Sequence, residues 1–551
     1  MTKKRIVILL VFVVLFIYGI SNTTEYGRPW DEQDEIAILL ANVKEYGNHP
    51  LIQRIVNSTW LKYLKATPIG ENIERDHGIA AYYGFVPFFY HIGYDTRPLM
   101  YAWHYYTFVL WFIGVIAIYG LQKEVFKSRI LPIVGTVFFY FTPRLFADGH
   151  YNNKDIAFLV FVIVALLFAA RLIKYGYRRD LLLFAFSSGF LMNTKILGVA
   201  IWGLIVVFIS IHSWMNRTEH FKLDCLGIFC AVILSLLCYY LLTPAMWRNP
   251  IAFLEYCVHN ATHFSRWNGT FLYQGLILNP AENGIPYSYL PVWMLITTPV
   301  YISLLFLISV VLFLYRVVKT RGRILHQYRE FMMALFLMLF CFPFFHIILR
   351  APTTVLYNAW RHCYFLYAPL FLIAMYVFDD ALQELRFIDT DKRVRARGLV
   401  AAVCVGFIFT AGDMVQNRSF EYSYYNRAAR TVLDPSDFEG DYWNVSVLPV
   451  LKQFADQYYD GQNLLKVTHI RPSGGGQEWS FEEMRYDDGR IETVSEEEAD
   501  YYLFNPSIMT NRDVLNNYEK LVSVYRYDND LAGIYINKSS SNSSSCNEIK
   551  K

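Results

Sequence analysis

The chain has 551 residues, of which 55% are hydrophobic and 18% charged, with a mean hydropathy of +0.25. That composition excludes an ordinary soluble protein of this length and fits a chain that crosses a membrane many times. The net charge of +3 offers no basic stripe for nucleic acid, and eight cysteines without a Cys-x-x-Cys spacing indicate neither a zinc site nor a disulfide framework.

Lys3, Lys4 and Arg5 precede a continuous apolar run to Ile20 with no clear small-residue cleavage site. This reads as an uncleaved first helix with a cytoplasmic N-terminus. Further apolar runs cover 99–121, 130–146, 156–173, 181–214, 226–242, 289–315, 331–349, 364–378 and 399–411. A spanning helix needs about 20 apolar residues. The 181–214 run is too long for one crossing and is interrupted at Met192-Asn193-Thr194-Lys195. The basic clusters Lys123/Lys127/Arg129, Arg171/Lys174/Arg178/Arg179, Arg217/Lys222, Arg316/Lys319/Arg321/Arg323 and Lys392/Arg393/Arg395/Arg397 belong on the cytoplasmic side. They alternate correctly only if 181–214 crosses twice, turning near Lys195 on the outer side. About eleven spans result, with the C-terminus outside.

Residues 1–412 are thus expected to form a transmembrane core with outer loops at 21–98 and 244–288. In the first loop, 36–43 and 52–64 have the apolar spacing of helices lying along a membrane surface. Residues 413–537 read as an extracytoplasmic α/β domain. It should contain a helix at 449–458, strands at 464–470 and 499–504, and a hairpin of 521–527 and 531–536 joined by Asp528-Asn529-Asp530. The Ser-rich 538–551 tail reads as disordered. The fold class is an α-helical polytopic membrane protein with a C-terminal extracytoplasmic α/β domain.

Ionisable residues at the ends of membrane helices are costly and mark candidate sites. On the expected outer side they are Asp31-Glu32 and Asp34-Glu35, then Glu74-Arg75-Asp76-His77, then Arg144, Asp148, His150, Lys154 and Asp155 in one inter-helix segment, then Lys195 and Arg361-His362. A solitary surface carboxylate is ordinarily just solvated, and a solitary histidine is ordinarily a hydrogen-bonded structural residue. Convergence of acids and cations on one face is the stronger signal. It suits displacement of a sugar from a lipid phosphate by a hydroxyl: a carboxylate takes the hydroxyl proton, and Arg or Lys steadies the leaving phosphate.

The order of short segments resembles the GT-C superfamily of polyprenyl-phosphate-sugar-dependent glycosyltransferases. That group includes protein O-mannosyltransferases and bacterial aminoarabinose transferases, with oligosaccharyltransferases related. The segments are Asp31-Glu32, Pro143-Arg144…Asn153-Lys154-Asp155, Asn193-Thr194-Lys195-Ile196-Leu197-Gly198, Pro244-Ala245-Met246-Trp247…Pro250, Tyr289…Thr298-Pro299, Trp360-Arg361-His362…Pro369, and Tyr424-Tyr425-Asn426…Phe438-Glu439-Gly440-Asp441-Tyr442-Trp443. The resemblance implies a membrane glycosyltransferase acting with inversion on the outer face, with a polyprenyl-phosphate-linked donor and a glycan, lipid or protein acceptor. It makes Asp31, with Glu32 and Asp155, the catalytic candidates; Asp34 leaves the register of the base open. Arg144, Lys154 and Asp76 would shape the substrate site. Charge logic assigns Lys195 and Arg361 to the carrier phosphate, and His362 counts among the substrate-binding candidates. No cofactor is expected of mannosyl- and aminoarabinosyl-type enzymes. Related oligosaccharyltransferases use a divalent metal, for which Asp31, Asp34 and Asp155 would be the oxygen ligands. A bacterial cell membrane is the expected location. Two other readings compete: a flippase for a lipid-linked sugar, which would favour midplane polar residues and internal repeats, and a non-catalytic envelope assembly subunit.

Overall fold

The computed structural model describes residues 3–48, 67–92, 97–215, 225–263, 265–385, 390–470, 489–509 and 512–538. Helix α1 (Lys3–Ile20) leads into a short connecting segment and α2 (Glu32–Asn48), which contains the expected 36–43 helix. The expected 52–64 helix and the Ser-rich tail lie outside the described residues. After α3 (Val86–Ile92) come α4 (Arg97–Val125), α5 (Leu131–Tyr140), α6 (Pro143–Tyr151), α7 (Asp155–Tyr175), α8 (Arg178–Thr194), α9 (Leu197–Met215) and α10 (Cys225–Leu242). Then follow α11 (Pro250–Thr262), the hairpin β1 (Phe271–Tyr273) and β2 (Leu276–Leu278), α12 (Pro280–Asn283), α13 (Tyr289–Thr297), α14 (Val300–Lys319), α15 (Tyr328–Leu349), α16 (Tyr367–Glu384) and α17 (Thr390–Gln416).

Among the described residues, nine helices are long and apolar enough to cross a membrane. The eleven spans read from sequence reduce to these nine plus two shorter helices. As expected, the 181–214 run divides at Lys195 into α8 and α9. Two other runs divide where a single helix was expected. The 130–146 run ends at Tyr140, and Pro143 starts α6 as its first residue. The 289–315 run breaks at Thr298-Pro299. Proline lacks the N–H for an interior helix bond but fits the first turn, so each marks a new helix start.

Helix ends collect polar residues in two layers. At one end Glu124 binds Arg171, Lys174 and Tyr175, and Arg171 also pairs with Asp180 at 3.0 Å. Nearby Asp379 accepts the Ser128 N–H at 2.8 Å and pairs with Arg329, while Arg316 pairs with Asp380. At the other end lie Asp155 and Arg361. Helix α7, with Asp155 at its start and Lys174 in its last turn, spans about 30 Å at 1.5 Å per residue. That is the thickness of a bilayer hydrocarbon core. Between the layers the interior is packed with aromatic and aliphatic side chains, Trp103, Trp111 and Trp293 among the largest fully buried.

After α17 the chain returns over the Asp155 end through α18 (Arg427–Val432) and α19 (Val447–Tyr458), then forms a sheet. Its strands are β3 (Leu465–His469), β4 (Ile491–Thr493), β5 (Tyr501–Phe504), β6 (Tyr518–Arg526) and β7 (Asn529–Asn537), in the order β4-β3-β5-β7-β6. β3 runs parallel to β4 and β5; β7 is antiparallel to β5 and β6. The expected helix, strands and hairpin are present, and β4 is additional. The hairpin turns on Tyr527-Asp528, both in the left-handed region (φ 48° and 60°), rather than on 528–530. That handedness matches the twist of the paired strands. Amphipathic α19 buries Val450, Leu451 and Phe454 against the sheet.

Asn193, in the last turn of α8, fastens the segment between α2 and α3 to the bundle. It accepts the Ala80 N–H at 3.0 Å and donates to Leu242 O and Thr243 Oγ1 at 3.0 and 2.9 Å. Gly78 passes so close that a Cβ there would lie 1.7 Å from the Asn193 carbonyl oxygen. Asn193→Ala removes three hydrogen bonds, two of them buried, each worth about 1 kcal/mol. We expect a loss of about 2–3 kcal/mol, read as a lower thermal midpoint of the detergent-solubilised protein by tryptophan fluorescence.

Candidate functional site

Three helix ends meet at Asp155. It is the first residue of α7, buried, and its backbone N–H is accepted by Asn152 Oδ1 at 2.8 Å. Its carboxylate takes Lys195 Nζ from the α8–α9 turn, Arg361 Nη1 at 3.3 Å from the approach to α16, and Asn152 Nδ2 at 3.2 Å. His362 Nδ1 stands 3.9 Å away. A buried carboxylate is tolerated only when paired and hydrogen-bonded, and here two cations and an amide meet that need.

Arg361 reaches from Asp155 to Asp31, whose carboxylate lies 3.8 Å from Nη2. Its guanidinium stacks on Trp443, 4.5 Å from the ring centroid. Arg361 is aimed by a strained turn: Asn358 and Ala359, just before it, both hold φ near +57°, a conformation that costs a residue with a Cβ about 1 kcal/mol or more. Tyr289 Oη donates to the Ala359 carbonyl at 3.0 Å and Glu439 accepts its N–H at 3.3 Å, so neighbours on both sides hold it.

Neighbouring acids in the first outer loop have different fates. Asp31, just before α2, keeps 48% of its side chain open. Desolvation by the surrounding protein raises the carboxyl from its ordinary value, and Arg361 and Lys154 pull it back only in part. Glu32 turns inward: it is 2% exposed and bound by Arg28 Nε and His104 Nε2, each at 3.0 Å. Glu32, expected beside Asp31 as a catalytic candidate, thus has both its oxygens paired. Asp34 is exposed. Glu35 is buried against Lys154 Nζ at 2.8 Å and Asn153 Nδ2 at 3.3 Å. Burial works against its charge, but Lys154 and His77 outweigh that and hold it low. Lys154 also meets His77 Nδ1 at 2.6 Å.

Asp76 is not at this centre. Arg266 clasps it at 2.8 Å and also binds Glu74 at 2.6 Å, while Glu74 lies 2.8 Å from His77. Arg144, in α6, is buried; its Nε donates to Tyr424 O at 3.0 Å. Among the described residues, Glu74, Asp76 and His77 are the group whose ligand atoms converge, within 4.8 Å. Arg266 and Lys154 occupy those atoms, and Lys195 and Arg361 occupy Asp155, so neither set, as placed, fits a divalent ion. The structure therefore brings together Asp31, Asp155, Lys154, Lys195, Arg361 and His362, and adds Glu35, His77 and Trp443. The second acid pair in the sequence signalled Glu35; Trp443 lay inside a recognised segment without a role.

No family model and no curated protein matches the chain. Among solved structures, ArnT from Cupriavidus metallidurans bound to undecaprenyl phosphate matches at 11% identity over 97% of this chain and 98% of its own, with a TM-score of 0.44. Its apo state matches at 10% identity over 98% of each chain, TM-score 0.45. The Archaeoglobus fulgidus oligosaccharyltransferase in its apo form matches at 9% identity and TM-score 0.45, over 90% of this chain and 65% of that one.

Glu74 supplies a pH signature. Burial opposes its charge, but His77 and Arg266 hold the carboxyl at about 2 against an ordinary 4.5. A depressed carboxyl contributes stability that is full above the ordinary value and lost as pH falls from about 4.5 towards 2. Glu74→Gln should lower the thermal midpoint at pH 7 and flatten its decline between pH 5 and pH 3, as followed by intrinsic fluorescence.

Proposed function

We propose that the protein is a membrane glycosyltransferase that moves a sugar from a polyprenyl-phosphate carrier to a hydroxyl of a glycan, lipid or protein, with inversion. The observation that supports this most is the contrast among its carboxylates. Glu32, Glu35 and Asp155 are enclosed by cations and amides, whereas Asp31 is half open beside Arg361 at the mouth of the cluster. An open carboxylate with a raised pKa is suited to take a proton.

In this reading the acceptor oxygen attacks the anomeric carbon as the bond from that carbon to the carrier phosphate breaks. The electron pair leaves with the phosphate oxygen, and the acceptor proton passes to Asp31. The leaving phosphate needs no proton. Arg361 and Lys195, edging the cleft at 6% and 17% side-chain exposure, offer the cationic donors that stabilise it. His362, whose buried Nε2 lacks a partner, sits beside them as a further contact. Asp155 holds the two cations in place. Glu35 holds Lys154, which steadies Asp31 electrostatically. The apolar spans would keep the chain in the cell membrane of a bacterium, N-terminus cytoplasmic, with the Asp31 cleft and the sheet outside.

Purified protein in detergent, offered radiolabelled polyprenyl-phosphate sugars and envelope acceptors, should transfer label. Asp31→Asn should reduce transfer at least about 100-fold, the scale of a lost general base, with an unchanged thermal midpoint. Asp31 must be ionised to act and its carboxyl is raised, so wild-type transfer should fall on acidification at a higher pH than an ordinary aspartate would give. Wild-type rates in Asp31→Asn would overturn the assignment.

A further inference from the structure

At the rim of the Asp31 centre one atom has two rival partners. His77 Nδ1 lies 2.6 Å from Lys154 Nζ and 2.8 Å from Glu74 Oε2. A ring nitrogen carries either a proton or an in-plane lone pair, never both. An ammonium only donates, and an ionised carboxylate only accepts. The two contacts therefore cannot be hydrogen bonds at the same moment. With a proton on Nδ1, the ring donates to Glu74 and sets an N–H against the N–H groups of Lys154. With the lone pair on Nδ1, the ring accepts from Lys154 and meets the Glu74 oxygen with nothing to give it.

Neither rival resolves the conflict by changing its own charge. Burial works against the Lys154 ammonium, but Glu35, Glu74 and Asp31 raise it above its ordinary value, so it keeps its protons. Glu74, at about 2 despite its burial, stays ionised. That leaves the imidazole, a group whose charge ordinarily changes between about pH 5 and 8. Its side chain is 28% exposed, so it exchanges protons with water. The ring cannot drift away from the choice. The His77 backbone N–H donates to Glu74 O at 2.8 Å, Arg266 grips Glu74 and Asp76, and the next residue, Gly78, is pressed against Asn193. The remaining charges about it come from α2: Glu35, which feels His77 and binds Lys154 at 2.8 Å, and Asp34, which feels both Glu74 and Lys154.

We propose that His77 is a positioning residue for the Asp31 base: the state of its Nδ1 decides whether Lys154 is shared with the imidazole or given wholly to the carboxylates Glu35 and Asp31. The inference rests on the glycosyltransferase reading and adds a proton-dependent setting to it. In the neutral state one Lys154 N–H is spent on the ring. When water delivers a proton to Nδ1, that bond breaks, Nδ1–H bonds Glu74, and the ammonium turns to the carboxylates. Lys154 keeps all its protons throughout, and the ring alone changes charge. Burial raises the Asp31 carboxyl and Lys154 is one of the cations that lower it. A protonated His77 therefore keeps the base ionised further into acid.

Two measurements on the full chain in detergent test this. The first is ring-nitrogen NMR of protein carrying nitrogen-15 histidine, with the His77 signals identified by their loss in His77→Asn. In the wild type the neutral ring should hold its proton on Nε2, leaving Nδ1 to accept from Lys154. In Lys154→Met the neutral ring should move that proton to Nδ1, facing Glu74. The same tautomer in both proteins would overturn the proposal. The second is the pH profile of sugar transfer. An asparagine at 77 still donates or accepts a hydrogen bond but takes no charge. The acid half-point of His77→Asn should therefore lie about half a pH unit above that of the wild type, less than the shift from a charge in direct contact. An equal loss of rate at every pH, as a merely structural role gives, would also overturn it. Should His77→Asn not fold, His77→Gln is read in the same way. A protein that transfers sugar from no donor would remove the glycosyltransferase reading, while the tautomer comparison would still decide how His77 and Lys154 are coupled.

Discussion

The clasp of Asp155 by Lys195 and Arg361 is the interaction on which the rest of the site depends. Moving one carboxylate out of water costs several kcal/mol, and only close, hydrogen-bonded cations return it. Here those cations come from two distant stretches of chain, so a single buried charge ties the start of α7, the α8–α9 turn and the approach to α16 to one point. Without the acid, two cations would face each other with nothing between them. The same clasp orients Arg361 so that its other side reaches Asp31 and its face meets Trp443. The electrostatic order is a carboxylate too deep to react, cations fixed by it, and an outer carboxylate tuned by those cations.

The site also borrows strain. Two left-handed residues in succession, Asn358 and Ala359, precede Arg361, and the second is held by a tyrosine from α13 and a glutamate from the return segment. A flexible approach would let Arg361 follow whichever acid was nearer; the held turn fixes its distance from both. Asn193 does comparable work on the facing side, binding the loop that carries His77 to the ends of α8 and α10.

Much of this was legible in the chain because membrane burial leaves a coarse record. Long apolar runs named the spans, and the basic clusters forced the break at Lys195. The breaks at Pro143 and Pro299 escaped because a proline inside an apolar run does not by itself say whether the helix bends or restarts; packing decides. In the site, helix-end charges on separate segments were correctly suspected of converging, since an unpaired charge at such a depth is expensive. What hydropathy and spacing do not encode is the direction of a side chain. Asp31 and Glu32 are adjacent and chemically alike, yet one opens to the cleft and the other is locked by Arg28 and His104. Asp76 looked equivalent to other loop acids until Arg266, nearly two hundred residues on, proved to own it. Partners so far apart in sequence leave no local trace.

The placement of Trp443 has a consequence for how such a molecule comes into being. It follows every span in the chain, yet it closes the face of an arginine that belongs to the bundle. During synthesis the helices can enter the membrane and pair their charges while the centre still lacks one wall. Completion waits for the return segment to dock. A chain stopped before this segment would therefore hold the paired charges of the bundle without the ring that covers Arg361.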